Sequence, residues 1–428
     1  SSEWPVANRV IELYLQKKSE NGGWERQING ISNNEKAVLL LEKRTFKELL
    51  VDMELRNLQN NIVGQEASRL FARAEINMGV EAFRDSLYSL LKRNTFLNIK
   101  FENMLDTLGE ISRTDIRSLL GEWEKTTPLP FYSLGEPTLT KITNKGGEEF
   151  FVLKMLISNN SDYDGIIHMD IRKDGWWYQP LEDPRAKTKI EMPAHTSKEF
   201  VSVWEDQIRN VEINTMVSGN LPNIISQDIN NVKQERNKIV KDSIYILPES
   251  SFDLPGEIIV DNEDSTLFIL SAPPIVGLLP KWLDEVEETP FKYSGISWWR
   301  PPLQWTATTN DRYYGKYIRS AFVIKSGDGS QTATWKVPVP EVGQYDLYYH
   351  VFKDDELRWN NNLQGEYHFK VKYGSEVEDA YVNLRKANEG WEQLGSYYFD
   401  SDTIRVVLTD ECKLRSVTAD AVKIVKRY

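Results

Sequence analysis

The four histidines of this 428-residue chain are the side chains best suited to metal binding or proton transfer near neutral pH. His168, His195, His350 and His368 lie far apart, in segments that alternate as β-strands do. None stands in a His-Glu-x-x-His pattern, in which two histidines one helical turn apart bind zinc. His350 and His368 could approach each other across a sheet, where packing between strands is the expected role. We therefore predict no metal site made by this chain.

Carboxylates, hydroxyls and the thiol form no catalytic pattern either. Asp115, Glu122 and Glu124 are spread around helix faces, so a general acid and base pair is not supported. Gly327-Asp328-Gly329-Ser330 is typical of a hairpin turn, because no helix follows it as a phosphate loop requires. No serine stands at a nucleophile elbow. The single cysteine, Cys412, excludes an intrachain disulfide and a cysteine zinc cluster. We predict no catalytic residue in this chain.

The acidic turn Asp261-Asn262-Glu263-Asp264 offers the hard oxygen ligands that calcium prefers. An acidic turn between two strands, without a bound ion, explains the same four residues and is the preferred interpretation. Calcium binding is the alternative that the sequence leaves open.

Tryptophans are the best candidates for recognition of a ligand. Trp298 and Trp299 precede Arg300, and Trp359 lies in a polar segment. Neighbouring residues of a strand point to opposite faces, so one member of a Trp-Trp pair faces outward or lies in an interface. We predict Trp298, Trp299 and Trp359 as ligand-binding residues that stack on a sugar, with a domain junction as the alternative role. For Trp176-Trp177 the junction is preferred.

Composition limits the partners and the number of domains. A formal net charge of −12 argues against binding to a nucleic acid, which needs basic surfaces. No apolar run approaches the ~20 residues that a membrane-spanning helix needs. The first residues, Ser1-Ser2-Glu3-Trp4, lack the basic and apolar regions of a signal peptide. Either a signal peptide was removed or this is a piece of a longer protein, and we favour the piece. The length favours roughly three domains.

Periodicity divides the chain into helical and strand-like parts. Residues 1–133 show helical spacing, with a capping box from Ser32 to Glu35 that opens a long helix through Leu50. Another helix begins near Thr114-Asp115 and runs to Trp123. We predict an α-helical domain, a bundle or a solenoid.

From Pro137 the spacing alternates, which predicts an antiparallel β-sandwich over 134–228. Residues 229–254 are rich in charged and polar residues without a persistent apolar face, so we predict a solvated linker or exposed helix there. Regular strands over 255–428 predict a last, jelly-roll-like sandwich. The expected fold class is multidomain α + β, with an α-helical domain followed by two antiparallel β-sandwiches.

Residues 78–131 carry several short elements in a defined order: Gly79, Glu81, Phe83, Phe96, Asn98, Leu105, Trp123 and Leu129-Pro130. In this order they resemble the end of the helical region in aminopeptidase N-like zinc metallopeptidases (gluzincins), and an ordinary amphipathic bundle is the alternative. The resemblance implies a zinc-containing catalytic domain upstream, a helical region that walls its cleft and a sandwich that braces it. The zinc motif and the catalytic tyrosine of that family are absent here, so we expect no cofactor in this chain.

Six elements between residues 261 and 422 resemble the golvesin C-terminal-like domain, a module found at the ends of secreted bacterial enzymes and surface proteins. On this resemblance Tyr345 and Trp391 should lie on the inner faces of strands. Asp420, between two small residues, should accept backbone N–H groups at the closing turn. The six elements are Asp261-Asn262-Glu263-Asp264 with Trp305, Tyr314-Gly315, Ala333-Thr334-Trp335, Pro340-x-x-Gly343-x-Tyr345, Gly390-Trp391-x-x-Leu394-Gly395 and Ala419-Asp420-Ala421-Val422.

The two resemblances imply the non-catalytic C-terminal region of a bacterial cell-envelope zinc aminopeptidase-like protein. Its last sandwich would attach the protein to a glycan, the cell wall or a surface protein, in the periplasm, at the cell surface or outside the cell. The expected partners are the upstream catalytic domain of the same polypeptide and a glycan or surface protein. A stand-alone surface binding or adhesion protein is the alternative, and a self-sufficient hydrolase is the least favoured one.

Overall fold

The chain folds into two compact units, seen here in a computed structural model. The first comprises Ser1–Gly22 and Asn33–Phe252, and the second comprises Gly23–Ser32 and Asp253–Tyr428. The helical region and the first sandwich, predicted as separate domains, thus belong to the same unit except for one short helical segment. The structure describes residues 5–16, 23–95, 97–173, 179–236, 240–248, 252, 256–271, 291–297, 300–353 and 365–427.

Helices occupy the N-terminal part of the described chain, as the 3.6-residue periodicity predicted. The fifth helix, α5, is central, because α1, α3, α4, α6 and α7 all pack against it. A 3₁₀ helix, Arg117–Glu124, stands where the sequence predicted an α-helix to Trp123, and Gly121 within it weakens the α-helical preference. The helices are α1 (Pro5–Leu15), α2 (Gly23–Asn29), α3 (Asn33–Lys43), α4 (Phe46–Val51), α5 (Gln59–Met78), α6 (Val80–Arg93) and α7 (Phe101–Ser112).

The long helix predicted from Ser32 through Leu50 is two helices. Thr45 begins α4: its hydroxyl accepts the Glu48 N–H at 3.2 Å, and its own N–H donates to the Glu48 carboxylate at 2.9 Å. This capping box satisfies backbone N–H groups at a new helix start, so the chain turns there. The turn allows Phe46 to reach Trp123, with ring centroids 4.9 Å apart.

Strands of the first unit form two sheets packed face to face, with an apolar core between them that includes Leu153, Ile167 and Val211. One sheet has the order β10-β2-β3-β7-β11, with β1 beside β3, and the other joins β4, β5, β6, β8 and β9. The strands are β1 (Tyr132–Leu134), β2 (Thr138–Thr143), β3 (Glu149–Asn159), β4 (Gly165–Lys173), β5 (Gln179–Pro180), β6 (Lys187–Met192), β7 (Thr196–Trp204), β8 (Ile208–Asn214), β9 (Ile224–Asp228), β10 (Val232–Arg236) and β11 (Ser243–Pro248).

The linker or exposed helix predicted over 229–254 is wrong where the structure describes it. Strand β10 pairs in parallel with β2, and strand β11 pairs antiparallel with β7. Both are edge strands of the same sheet. An edge strand has a solvated side and can carry charged residues, so the charge density of this segment did not exclude a strand.

The second unit is also a β-sandwich, so the β-rich part of the predicted fold class is confirmed. Its core includes Trp335, Tyr345, Tyr349 and Phe369. The sheets have the orders β12-β23-β17-β20, β13-β16-β21-β18-β19 and β14-β15-β22. The jelly-roll connection and the choice between bundle and solenoid stay predictions. The strands are β12 (Glu257–Val260), β13 (Phe268–Ser271), β14 (Thr306–Thr309), β15 (Ser320–Lys325), β16 (Thr332–Pro338), β17 (Gly343–Val351), β18 (Glu366–Tyr373), β19 (Glu376–Asn383), β20 (Gly390–Phe399), β21 (Thr403–Thr409), β22 (Ser416–Ala419) and β23 (Val422–Lys426).

Helix α2 belongs to this second unit and not to the helical domain predicted over 1–133. Its end is fixed by Gly30, whose carbonyl accepts the Thr309 hydroxyl at 2.6 Å. Gly30 has φ +78°, and a Cβ there would lie 2.4 Å from the backbone of Ser294. Only glycine fits this close approach.

Buried carboxylates join the helices of the first unit to its sandwich. Glu75 on α5 accepts the Tyr14 hydroxyl at 2.7 Å and the Lys189 ammonium of β6. Glu35 on α3 accepts the N–H of Asn223 at 2.8 Å. A buried carboxylate without donors is costly, so these contacts favour one relative position of helices and sheets. In the part of the chain that the structure describes, no helix is long and apolar enough to cross a membrane.

His168 lies beside this junction and generates a test of pH dependence. It is on β4, paired with Lys189 on one side and Asn214 on the other. Burial, and then the Lys189 ammonium, lower the pKa of His168 from its ordinary value of 6.5 to about 4. Between those values the unfolded chain binds a proton that the folded chain does not, so stability falls as the pH falls.

We therefore expect His168→Gln to remove about 3 kcal/mol of the loss in unfolding free energy between pH 7 and pH 4. Urea unfolding of both proteins across this range measures the difference. Thr188→Ala on the adjacent strand β6 is the control, because it removes no titratable group, and it should keep the wild-type slope. Parallel curves for wild type and His168→Gln would contradict the assignment.

Candidate functional site

The ligand-binding residues predicted from sequence, Trp298, Trp299 and Trp359, lie outside the described residues, and so does Trp176-Trp177. Their role stays a prediction. The described chain instead shows two places where polar side chains converge. One surrounds Asp420 in the second unit, and the other is a cleft at one end of the first sandwich.

Asp420 is a fully buried carboxylate between β22 and β23. Its two oxygens accept the Tyr314 N–H at 3.2 and 3.1 Å, which confirms the expectation that it binds backbone N–H groups. Its Oδ2 lies 2.8 Å from His350 Nδ1. With Trp391, these residues form what we call the Asp420 cluster. They come from four strands or turns that are 29 to 106 residues apart, so no local motif indicates the cluster.

Trp391 does not lie on the inner face of its strand, so this part of the sequence prediction was wrong. Tyr345 is 1% exposed in the core, as predicted. On β20, Tyr397 and Phe399 also face the core, but the register with β17 shifts between Leu347 and Tyr348. One extra residue in a strand moves the following side chains to the other face. Trp391 therefore pairs with His350 on the outer face.

Three neighbours enclose the Trp391 indole. The His350 and Tyr314 rings lie with centroids 5.1 and 5.0 Å from it, and the Lys423 ammonium lies 4.8 Å from its centroid. Lys423 also pairs with Glu257 at 2.9 Å. A sugar-binding tryptophan needs an uncovered ring face. Trp391 is therefore a packing residue of this cluster, held by a cation and two rings.

In the acidic turn, which the sequence left open as a calcium site, side-chain oxygens accept hydrogen bonds from other groups of the chain. Asp264 accepts the N–H of Thr266 and its hydroxyl, at 3.1 and 2.7 Å. Glu263 accepts the Lys292 ammonium at 2.6 Å and the Tyr293 hydroxyl at 3.1 Å. These contacts are those of a structural turn. Among the described residues, no group of three or more His, Cys, Asp and Glu side chains is placed to hold a metal ion.

Burial sets the protonation of the Asp420 cluster. It raises the pKa of Asp420, while the adjacent His350 opposes this rise. Asp261, the first residue of the acidic turn, has a pKa raised well above its ordinary value by burial and by the Asp420 charge. An Asp–His pair can polarise a hydroxyl group or water when one is bound beside the imidazole. Here the His350 imidazole is enclosed by Tyr314 and Trp391, and the Asp420–His350 pair holds the turn at Tyr314 against β23.

The cleft lies where the sandwich of the first unit ends and has a volume of about 690 Å³. Arg185 lies 5.0 Å from the Trp204 ring centroid and bridges Asp183, at 2.6 Å, and Asp242. Asp183 consequently has a lowered pKa. Such a cleft is large enough for a monosaccharide or a short peptide. Sequence analysis missed it because its residues come from separate strands, turns and loops, and a bidentate arginine over a tryptophan leaves no local pattern.

Fold and site together define the second unit as a β-sandwich module built around a buried carboxylate. Residues 301–426 match the family model of the Golvesin C-terminal domain. The match contains Tyr314, His350, Trp391 and Asp420, so the whole Asp420 cluster lies inside it. No curated protein sequence matches this chain.

Comparison with solved structures adds little to the family match. A β-glucuronidase from Bacteroides uniformis is similar over 74% of this chain, with 12% identity and a TM-score of 0.21. This chain spans 32% of the β-glucuronidase, about a third of its length. The Sulfolobus Turreted Icosahedral Virus structure is similar over 71% of this chain and 96% of its own, with 10% identity and a TM-score of 0.15. Scores this low do not establish a common fold.

Asp261 provides a test of the electrostatics of the Asp420 cluster. An acid whose folded pKa is raised contributes stability below its unfolded pKa and loses it as the pH rises through the folded pKa. Charged Asp261 therefore destabilises the fold at pH 7. We expect Asp261→Asn, which keeps the acceptor for the Asn262 N–H, to raise the melting temperature by roughly 2–4 °C at pH 7.

The gain should disappear below about pH 3, where Asp261 is protonated in both the folded and the unfolded chain. Calorimetry at the two pH values measures it. Asp328→Asn is the matched control in the same unit, because hydrogen bonds from Ser330 lower the pKa of Asp328, and it should give no gain at pH 7. A destabilised Asp261→Asn protein at pH 7 would show that the carboxylate charge supports the fold.

Proposed function

We propose that this chain is a non-catalytic region of a bacterial cell-envelope protein, and that its last sandwich attaches that protein to a glycan, the cell wall or a surface protein. The observation that carries the proposal is the match of residues 301–426 to the Golvesin C-terminal domain. Domains of this type are typical of extracellular and cell-surface proteins.

The geometry of the motif residues supports a division of roles within the module. Tyr345 fills the core, Trp391 is enclosed, and Asp420 holds a backbone turn. Residues that are used in this way build the framework and are not free to contact a ligand. Recognition then belongs to side chains outside the framework, and we retain Trp298, Trp299 and Trp359 as the proposed ligand-binding residues.

The first unit suits a scaffold that carries another domain. The buried Glu35 and Glu75 join its helices to its sandwich, so these two parts should move together rather than independently. We propose, on the resemblance of residues 78–131, that an upstream zinc aminopeptidase-like domain is its partner in the same polypeptide. The helices would then wall the substrate cleft and the sandwich would brace it. The Golvesin match itself carries no information about a peptidase.

Binding of the full chain to a glycan array and to bacterial envelope fragments tests the attachment. We expect Trp359→Ala, or the double substitution of Trp298 and Trp299 by Ala, to weaken binding by about fivefold or more, since one aromatic contact contributes about 1 kcal/mol. Tyr398→Ala is the control, because Tyr398 is 56% exposed on β20 of the same unit. Equal binding by all variants would remove the three tryptophans from the site.

Peptidase assays test the non-catalytic assignment. We expect the purified chain to cleave no aminoacyl reporter, with or without added zinc, because none of its sequence motifs supplies a zinc site. Cleavage that is abolished by a chelator and lost on further purification would indicate a contaminant, whereas cleavage that copurifies with the chain would contradict the proposal. The parent reading frame separates the two alternatives: a His-Glu-x-x-His motif upstream of Ser1 supports the aminopeptidase-like protein, and its absence supports a stand-alone adhesion protein.

A further inference from the structure

Strand β11 is an edge strand with four consecutive apolar side chains in solvent. Ile244, Tyr245, Ile246 and Leu247 are 47%, 52%, 72% and 39% exposed. The strand pairs with β7 on one side, and among the residues that the structure describes no strand pairs with its other side. An edge strand presents unpaired backbone groups, and with apolar side chains it is a template for pairing with another strand.

The exposure of β11 affects the side of the sheet that faces the core. Ile244 lies opposite Phe200, which belongs to the core of the sandwich, and Ile246 lies opposite Lys198 on the same side. These isoleucines should be covered by the second sheet, yet Ile246 is the more exposed of the two. The apolar, core-facing side of this sheet therefore extends to Ile246, beyond the part that the second sheet covers.

Two other edge strands in the described chain, β10 and β19, are guarded by charge. Strand β10, at the opposite edge of the same sheet, reads Val-Lys-Gln-Glu-Arg, and β19 in the second unit carries Glu376, Glu378 and Asp379. Charged residues on an edge oppose association. Strand β11, Ser243–Pro248, contains no charged residue. Asp242, which precedes it, accepts the N–H of Val203 at 2.7 Å and pairs with Arg185, so it is engaged within its own unit.

We propose that β11 pairs with β11 of a second copy of this chain, antiparallel about a two-fold axis through Tyr245. A two-fold interface requires a self-complementary patch. Ile244-Tyr245-Ile246 is such a patch, because the axis places Ile244 of one copy against Ile246 of the other and brings no like charges together.

The area available limits this occupant to a weak association. The exposed fractions of the four residues correspond to roughly 400 Å² per copy. Two copies together therefore cover at most about 800 Å², which is below the roughly 1,200 Å² of a standard specific interface. The dimer is therefore weak and depends on concentration. The interface lies in the first unit and does not rest on the function proposed for the second.

Sedimentation velocity of the full chain over a range of concentrations measures the dimer. Ile246→Lys places two ammonium groups near the axis and should raise the dissociation constant by about tenfold or more. Val377→Lys is the matched control, because Val377 is a 58% exposed apolar residue on the charged edge β19, and it should not change the dimer. Circular dichroism shows whether both variants remain folded.

Cysteine crosslinking tests the register independently of stability. Two residues directly opposite in an antiparallel pair lie within disulfide distance, so Tyr245→Cys should form a dimer under mild oxidation. Ile244→Cys should not, since its counterpart is Ile246, and the double variant Ile244→Cys with Ile246→Cys should. The wild-type chain, with the partly buried Cys412 alone, is the background control.

A chain that is monomeric at every concentration, or a dimer that Ile246→Lys leaves unchanged, would overturn the proposal. So would crosslinking of Ile244→Cys in place of Tyr245→Cys, because it would place the axis elsewhere. Binding of an unrelated extended peptide to β11 by a monomeric chain would likewise replace the second copy as the occupant.

Discussion

A buried carboxylate must be surrounded by donors, and this requirement shapes both units of the chain. Glu75 in the first unit takes its donors from Tyr14 and Lys189, which are 61 and 114 residues away. Asp420 in the second takes them from Tyr314 and His350, 106 and 70 residues away. Each carboxylate thereby holds together segments that are far apart along the chain. Removing a donor would leave an uncompensated charge in a low-dielectric interior. Local helices and strands are arranged around these contacts.

The same feature explains how much of the fold the sequence predicted. Properties that depend on neighbours within a few residues were predicted: the helical N-terminal region, the change to strands, placed at Pro137 and observed from Tyr132, and the regular strands of the second unit. Properties that depend on distant residues were not. The capping box at Thr45 divides a helix that the apolar spacing treats as continuous. The strands β10 and β11 look like a charged linker, because edge strands need only one paired neighbour and their partners lie some 40 to 90 residues earlier.

The candidate sites follow the same division. Asp420 was predicted correctly as an acceptor, because a carboxylate between two alanines has space around it and few local donors. The face of Trp391 was predicted wrongly, because it depends on a bulge that is set by the count of residues in two paired strands. Alternation in one strand carries no information about that count. Arg185, Trp204 and Asp242 come together from a short 3₁₀ helix, the end of β7 and the residues before β11, and none of the three is unusual in its own segment.

The two edges of the first sheet carry this reasoning to the surface. Strands β10 and β11 lie in one sheet, at equal risk of pairing with another chain, yet one is charged and the other apolar. Charged residues make up 27% of this acidic chain, so composition alone would be expected to place some of them on both edge strands. Ile244 and Ile246 lie on the core side of the sheet but remain exposed, so the sandwich does not gain the stabilisation that their burial would give. The edge of β11 combines backbone groups without a partner strand and exposed apolar side chains, so it is complementary to another strand. The Asp420 cluster is different, because aromatic rings enclose it and its carboxylate already accepts hydrogen bonds within the chain.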